Sequence, residues 1–456
     1  MNSGDVLILG AGFSRAVSQY MPLTDELGKL AIDVAGLEDD PRAPRRKFTP
    51  SFSFENWMSL LAEDQPHLSE AENLANAALF AQLRDAINTV LASVEAAVFH
   101  DPAPAWLNDL LTVLHYRQAM VVTLNYDTVV EVGVASLGLP GPNGVLISPR
   151  DILRGMLTLP NVGMQFQSPI APTFELLKLH GSLDWWSAPR DLSGASLMWS
   201  GTLNQFGAPR PLTEEERHQQ LPGRTPFIIP PSAIKSAYYQ YPHSRELWRT
   251  AFNALMDAER VSLVGYSLPP ADLVMSGMLD QALSGKGVAV DIVNPDPKDL
   301  EARIRSLGLP TPTMFDTVIE FTHAYRDRAA SDLAESIAAM NGTEYPDTAL
   351  VVSKRKPDIG ETGSMIKKIE QDGNTVRLVS AGADVPMIQA TAVVAGPDGQ
   401  TVKDEFPRFG DLIAAARGAS KIVIRRNGVD ETVVGVNRRF TAESGVTTNW
   451  VAFDSV

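Results

Sequence analysis

The chain has 456 residues, of which 44% are hydrophobic and 20% charged, with no cysteine and a net charge of −15. That length suits two or three domains of ~100–200 residues, and the composition is that of a folded globular protein. Without cysteine there are no disulfides, no thiolate catalysis and no Cys-ligated zinc or iron–sulfur centre, and the acidic balance argues against a broad nucleic-acid-binding surface. No apolar run reaches the ~20 residues of a membrane span. The start of the chain lacks a basic stretch followed by an apolar run and a cleavage site, so a cytoplasmic protein is expected. The negative charge is unevenly spread. Residues 345–456 are balanced, and the segment before them carries the whole excess. This shift, with a change of texture at the same place, predicts two domains, 1–344 and 345–456.

The first stretch, 6–9, is an apolar run of strand length that ends in Gly10-Ala11-Gly12 and leads through Phe13, Ser14 and Arg15 toward a helix. This is the pattern of a first βα turn that receives a pyrophosphate: glycine lets the backbone turn sharply and approach phosphate, and a helix N-terminus offers N–H groups. The full dinucleotide fingerprint would place a third glycine where the chain has Arg15. A glycine turn that merely packs a buried strand therefore remains an equal alternative for this stretch by itself. Helices are expected over about 25–34, with Thr24 or Asp25 as cap, and over 54–62. The longest helical signal runs over 68–99, with Ser69 and Glu72 at capping-box spacing, as one helix or two with a bend. Another helix is expected over 102–116.

A second buried strand, 119–124, ends in Asn125-Tyr126-Asp127, and a helix follows from about Thr128. A third, 174–179, ends in His180-Gly181-Ser182. Residues 187–226 show few periodic apolar signals and are expected to be irregular. After a helix over 245–258 come strand 261–264, ending in Gly265-Tyr266-Ser267, a helix over 271–283, and strand 288–293, ending in Asn294-Pro295-Asp296. A helix over 299–307, a strand over 318–321 and a helix over 325–340 complete the segment. Short continuous apolar strands alternating with helices imply a mostly parallel, Rossmann-like α/β sheet with helical insertions. In such sheets ligands bind beyond the carboxyl ends of the strands, where these polar and glycine turns converge.

From Tyr345 helical periodicity nearly vanishes. Strands are expected over 366–369, 376–379, 388–394, 421–425, 432–436 and 449–453, with one helix over 409–417. Hairpin-type turns are expected at Asp372-Gly373, Asp398-Gly399 and Asn427-Gly428, so this is a smaller, mainly β C-terminal domain.

Taken together, the turns resemble the sirtuin (SIR2-like) family over about residues 1–340. Gly10-Ala11-Gly12-Phe13-Ser14 matches its GAGxS loop, Thr123-Leu124-Asn125-Tyr126-Asp127 its T-x-N-x-D element, and His180-Gly181 its catalytic His-Gly step. Gly265-Tyr266-Ser267-Leu268 is similar to its G-x-S-L turn, and Asn294 to its late strand-end Asn. The family's deacylases hold a structural zinc with four cysteines, and this chain has none. Asn-Tyr-Asp and His-Gly-Ser-Leu-Asp-Trp look instead like the NADase domains of bacterial anti-phage defence proteins.

That resemblance implies NAD⁺ as substrate, with Asn125, His180 and Asp127 as catalytic residues; the other histidines lie in no ligand-like spacing, so no metal is expected. It implies that Gly10, Ala11, Gly12, Ser14, Arg15, Gly265, Ser267 and Asn294 bind the dinucleotide. Cleavage at the nicotinamide ribose passes through an oxocarbenium-like state. An imidazole that titrates near neutrality suits His180 as general base. Asn125 would hold ribose hydroxyls and the attacking water. Asp127 either contacts the nicotinamide side or caps the helix after it, and the two roles can coexist. Arg15 either touches phosphate or forms a surface ion pair. The adjacent Trp185 and Trp186 either line the site or serve the core. The C-terminal domain would meet a partner defence protein or a second copy of the chain. An NAD-dependent deacylase or ADP-ribosyl transferase, and a non-catalytic NAD or ADP-ribose sensor, are the rival readings.

Overall fold

The strand β1 (Asp5–Leu9) is buried along its whole length, as expected of the middle of a parallel sheet. In the computed structural model the described residues are 4–44, 48–49, 52–141, 146–153, 172–188, 191, 196–200, 204–207, 221–233, 235, 239, 242–342, 348–356, 360–380, 385–386, 406–443 and 446–456. Two units emerge. One comprises Met1–Pro104, Gln118–Ala135 and Ser148–Glu320, the other Ala105–Arg117, Ser136–Ile147 and Phe321–Val456.

In the first unit β2 (Met120–Thr123) and β3 (Glu175–Lys178) follow β1, and β4 (Gly181–Ser187), β5 (Met198–Trp199) and β6 (Thr225–Ile228) form a small antiparallel sheet of order β5-β4-β6. With β7 (Arg260–Val264), β8 (Ala289–Val293) and β9 (Thr313–Phe315), the main sheet has order β3-β2-β1-β7-β8-β9, and every pairing is parallel. Counted within the sheet, this is the 3-2-1-4-5-6 order of the Rossmann fold, and the winding reverses between β1 and β7. Register aligns the strand ends. Leu9 pairs with Thr123 and Val264, Thr123 with Lys178, and Val264 with Val293, which pairs with Phe315. Gly10, Leu124, Leu179, Gly265, Asn294 and Asp316 are therefore the first residues past one common edge.

The helices of this unit are α1 (Ala11–Val17), α2 (Thr24–Val34), α3 (Phe54–Ala62) and α4 (Glu70–Val98), which precede α5 (Ala105–Arg117) of the second unit. The α4 segment is one helix, opened by the expected box: Ser69 N donates to Glu72 Oε2 (2.8 Å), and Glu72 N donates to Ser69 Oγ (3.3 Å). The cap of α2 differs from expectation. Glu26, not Thr24 or Asp25, accepts the Leu23 N–H, and Asp25 Oδ1 instead accepts from Phe54 N at the head of α3 (2.8 Å). Leu27, Phe54, Trp57, Leu83 and Ile87 make the core of this helical insertion. After α6 (Val129–Leu137) and α7 (Pro149–Ile152), α8 (Pro242–Met256) and α9 (Leu273–Leu283) bury Leu247, Leu255, Met275 and Leu279 with Val6, Ile8 and Leu263 of the sheet.

The structure corrects the expectation for 318–321. The strand is Thr313–Phe315, and Val318 opens α11 (Val318–Ala338), which follows α10 (Lys298–Ser306). Thr317 Oγ1 accepts from Glu320 N, and Glu320 Oε2 from Asp316 N, both at 3.2 Å. That reciprocal cap was written in Thr317-Val-Ile-Glu320, but four apolar-rich residues cannot by themselves tell strand from helix. Strand β4 was also missed, because Gly181-Ser182 reads as a turn. Gly181 sits at φ 81 and starts the strand there.

In the second unit β10 (Ala349–Lys356), β11 (Gly360–Asp372), β12 (Thr375–Ser380), β13 (Val385–Pro386), β14 (Lys421–Arg426), β15 (Val429–Glu443) and β16 (Val446–Ser455) build a barrel. The ring runs β10-β11-β12-β14-β15-β16 and closes because β10 pairs with both β11 and β16, while β13 adds to β11. The helix α12 (Phe409–Ala416) lies in the connection between β12 and β14, which pair in parallel, and Phe409 and Leu412 join Leu378, Ile424 and Phe453 in the core. Asn427 (φ 49) and Gly428 (φ 84) have the two left-handed residues of a type I′ turn between β14 and β15. The strand expected over 388–394 and the turn at Asp398-Gly399 lie outside the described residues.

Candidate functional site

A cavity of about 1010 Å³ opens at the common strand edge of the first unit, at the upper end of the ~300–1,000 Å³ range of small-molecule sites. It is lined by every residue to which the resemblance gives a catalytic or binding role: Gly10, Ala11, Gly12, Ser14, Arg15, Asn125, Asp127, His180, Gly265, Ser267 and Asn294. Its position over β1 and β7 is the switch point of the sheet, where two neighbouring connections diverge and leave a crevice.

The glycines act differently from the expected phosphate cradle. Gly10 N donates to Val264 O (3.1 Å), Gly12 N to Gly265 O (2.9 Å) and Gly265 N to Val293 O (2.9 Å). Their amides are therefore spent inside the fold. What glycine provides is approach. A Cβ on Gly265 would lie 2.1 Å from Phe13 N, one on Gly12 2.8 Å from Gly265 Cα, and one on Gly10 2.7 Å from Tyr266 Cα. Two strand-end turns thus interlock where side chains would hold them apart.

On this base sits a hydrogen-bonded group that joins β1 to β2. Asn125 Nδ2 donates to Gly10 O and to Ser14 Oγ, each at 2.9 Å. Ser14 Oγ donates to Asp127 Oδ2 (2.7 Å). With both amide hydrogens engaged, Asn125 offers its Oδ1 as an acceptor. Asp127 Oδ1 accepts from Val129 N (3.3 Å), so Asp127 caps α6 and fixes Ser14 at once. Behind the turn, Lys178 Nζ bonds Glu131 Oε1 (2.7 Å) and Asp127 O (2.5 Å), with both side chains almost fully buried. Glu95, on α4, accepts from Thr128 N (2.6 Å). The Asn125–Asp127 turn is thereby tied to a strand, two helices and the glycine turn.

His180 follows β3, is 5% exposed, and places Nε2 3.4 Å from Lys235 Nζ. Burial, reinforced by the Lys235 charge, holds its imidazole well below the ordinary histidine range, and a hydrogen bond to the Leu124 backbone offsets this in part. His180 is thus neutral near pH 7. The expected near-neutral titration does not hold, because an imidazolium here would be desolvated and beside a cation. Lys235 in turn lies 3.7 Å from Glu55 Oε1 and 3.9 Å from Asp272 Oδ1. Tyr266 OH donates to Asp272 Oδ2 (2.7 Å). Sequence reasoning missed Glu55, Lys235 and Asp272. Each comes from a different element with no motif around it, and Glu55 read only as part of an amphipathic helix.

No family model matches the chain, and no curated protein matches it. A search of solved structures finds one described as "Structural Basis for the Mechanism and Regulation of Sir2 Enzymes". It is 13% identical, covers 71% of this chain and 92% of that chain, and has a TM-score of 0.32.

The remaining wall is set by side-chain partners. Arg15 pairs with Glu26 and donates to Gln19 O, so its guanidinium is engaged at the cavity rim as an ion pair. Asn294 Oδ1 accepts from Asp296 N (3.0 Å), which leaves the Nδ2 hydrogens for a ligand. Ser267 is exposed at the rim. Trp185 and Trp186 are buried on β4, Trp185 within the main core. Asp25, Asp272 and Asp316 add carboxylates to the lining. Among the described residues no group of three or more His, Asp or Glu is placed to hold a metal ion, and no helix is long and apolar enough to cross a membrane.

Proposed function

We propose that the first unit is an NAD⁺ glycohydrolase that releases nicotinamide and leaves ADP-ribose. The observation that carries this reading is the Asn125–Ser14–Asp127 group, built onto the glycine turn at the switch point of a 3-2-1-4-5-6 sheet. An elongated dinucleotide suits a cavity of about 1010 Å³ that runs from this group past Gly265 and Ser267 to Asn294 and Asp316. The pyrophosphate would lie over the interlocked turns, where the absence of side chains lets it approach the Ala11 amide and the Ser267 hydroxyl. The Asn294 Nδ2 hydrogens would meet the adenosine ribose.

The chemistry demanded of the protein is modest, because the leaving nicotinamide is already cationic. What is needed is orientation, exclusion of bulk water, and acceptors for the ribose hydroxyls and the attacking water. Asn125 Oδ1 is an acceptor of that kind, and the neutral ring of His180 becomes one when the Lys235 ammonium moves off its Nε2. The carboxylates of Asp25, Asp127 and Asp272 stabilise positive charge as it develops on the ribose.

The Asn-Tyr-Asp and His-Gly-Ser-Leu-Asp-Trp elements favour the anti-phage NADases, and the absence of cysteine counts against the deacylases, whose zinc module needs four. In this reading the protein is an effector held inactive until infection, and the barrel unit carries control by a partner or a second copy. The test is nicotinamide release from NAD⁺ by purified protein, followed with Asn125→Ala and His180→Ala alongside. Absence of release from the wild type, with candidate activators present, would overturn the reading. Equal release from all three proteins would overturn the site.

A further inference from the structure

Lys235 is the buried cation of the site, its side chain 3% exposed. Three groups surround its ammonium: His180 Nε2 at 3.4 Å, Glu55 Oε1 at 3.7 Å and Asp272 Oδ1 at 3.9 Å. An ammonium has three donors and no acceptor. The ring nitrogen that faces it must therefore present a lone pair, and the imidazole proton is left to Nδ1. Rings hold the imidazole from its other sides: Tyr126 is stacked at 6.4 Å and Trp248 lies at 6.3 Å. The phenols of Tyr239 and Tyr266 are pushed up by burial and by Asp272, so they stay neutral. Burial holds the Glu55 carboxyl above its ordinary range, and the Lys235 charge offsets this only in part. Among the described residues, the charged groups at His180 are thus Lys235 with Glu55 on α3 and Asp272 at the head of α9.

We propose that Lys235 is a positioning residue of this site: anchored by Glu55 and Asp272, it holds His180 in one orientation and one tautomer, with the Nε2 lone pair directed at the ammonium. For His180 to take a proton, the ammonium must move toward its two carboxylates, since two cations 3.4 Å apart in a buried site repel strongly. The three-way arrangement is a local device that couples the protonation of His180 to the place of Lys235. The catalytic meaning of that coupling rests on the NAD⁺ reading above. The arrangement itself does not.

The test is nuclear magnetic resonance of the ¹⁵N-histidine-labelled full chain, with the His180 signals assigned by their loss in His180→Asn. In the wild type Nε2 is expected at the shift of an unprotonated ring nitrogen and Nδ1 at that of a protonated one. A proton on Nε2 would overturn the proposal without any variant of Lys235. In Lys235→Met the His180 midpoint should rise by roughly 1–3 pH units, the size of the effect of a nearby charge, and Lys235→Arg should restore it. An unchanged midpoint in a folded Lys235→Met protein would likewise overturn it. If Lys235→Met does not fold, the wild-type tautomer and the Lys235→Arg titration decide. Failure of nicotinamide release in the wild type would sink the NAD⁺ reading and leave these spectra to judge Lys235 independently.

Discussion

Gly265→Ala is the sharpest test of how the site is built. Gly265 sits at φ +61, and an added Cβ would meet Phe13 N at 2.1 Å and Gly12 C at 2.4 Å. Two costs follow. The left-handed backbone costs about 1–2 kcal/mol for a residue with a Cβ, and overpacking against rigid backbone costs a further ~1–3 kcal/mol. The sum, about 2–5 kcal/mol, is a large part of the ~5–15 kcal/mol that stabilises a typical domain. Gly308 separates the two terms. It also has positive φ, at +72, but a Cβ there meets nothing within 4 Å, so Gly308→Ala should cost only the backbone term. Urea unfolding of both variants, followed by tryptophan fluorescence, gives the comparison, since five of the seven tryptophans belong to the unit that holds both glycines. Gly265→Ala should have the lower midpoint by the equivalent of about 1–3 kcal/mol. It should also lose nicotinamide release at urea concentrations where the protein is still folded, because the two strand-end turns no longer interlock. Equal midpoints would refute the argument that close approach, rather than backbone freedom alone, requires glycine at 265.

Other outcomes follow from single contacts. Asn125→Asp removes both donated hydrogen bonds and sets a carboxylate against Gly10 O, with the Ser14 hydroxyl shared between it and Asp127. Nicotinamide release should fall as far as in Asn125→Ala, and recovery by the aspartate would contradict the role assigned to Nδ2. Lys178→Met leaves the buried Glu131 without its cation and should cost ~3–5 kcal/mol, much of it recovered when Glu131→Leu is added. Calorimetry of the single and double variants checks this. In the barrel, burial pushes the Asp454 carboxyl from 3.8 up to about 8. Between those values the folded unit keeps a proton that the unfolded chain has released, so its stability falls as pH rises from about 4 to about 8, by up to ~1.4 kcal/mol per pH unit. Asp454→Asn should flatten that slope in urea titrations. Asp316 shares its end of the cavity with Asn294. NADP⁺ should therefore bind more weakly than NAD⁺, and Asp316→Asn should narrow the gap by roughly fivefold to tenfold, the worth of about 1 kcal/mol of charge repulsion, as read by calorimetric titration.

Much of both units was written locally. The continuous apolar run Val6-Leu7-Ile8-Leu9 announces a strand buried on both faces, and the Ser69–Glu72 spacing announces the start of α4. Asn427-Gly428 announces a tight hairpin, because few other pairs tolerate two positive φ angles. Each of these signals acts within a few residues, which is why a chain read in order reveals it. The strand-end turns carry the same kind of information, and their convergence follows once the strands are taken as parallel.

Tertiary structure decided what depends on atoms far apart in the chain. Gly10-Ala11-Gly12 reads as a phosphate loop, yet its two glycine amides are spent on Val264 and Gly265, and only the approach of Gly265 shows why glycine is required. His180 reads as a base that titrates near neutrality. Lys235, 55 positions away, together with burial, makes it a neutral acceptor instead. The sequence by itself determined which residue types stand at the ends of the strands. Which of their hydrogen-bonding groups still face the cavity was settled by packing, because a donor's partner and a charge's solvation are properties of the surroundings and not of the residue.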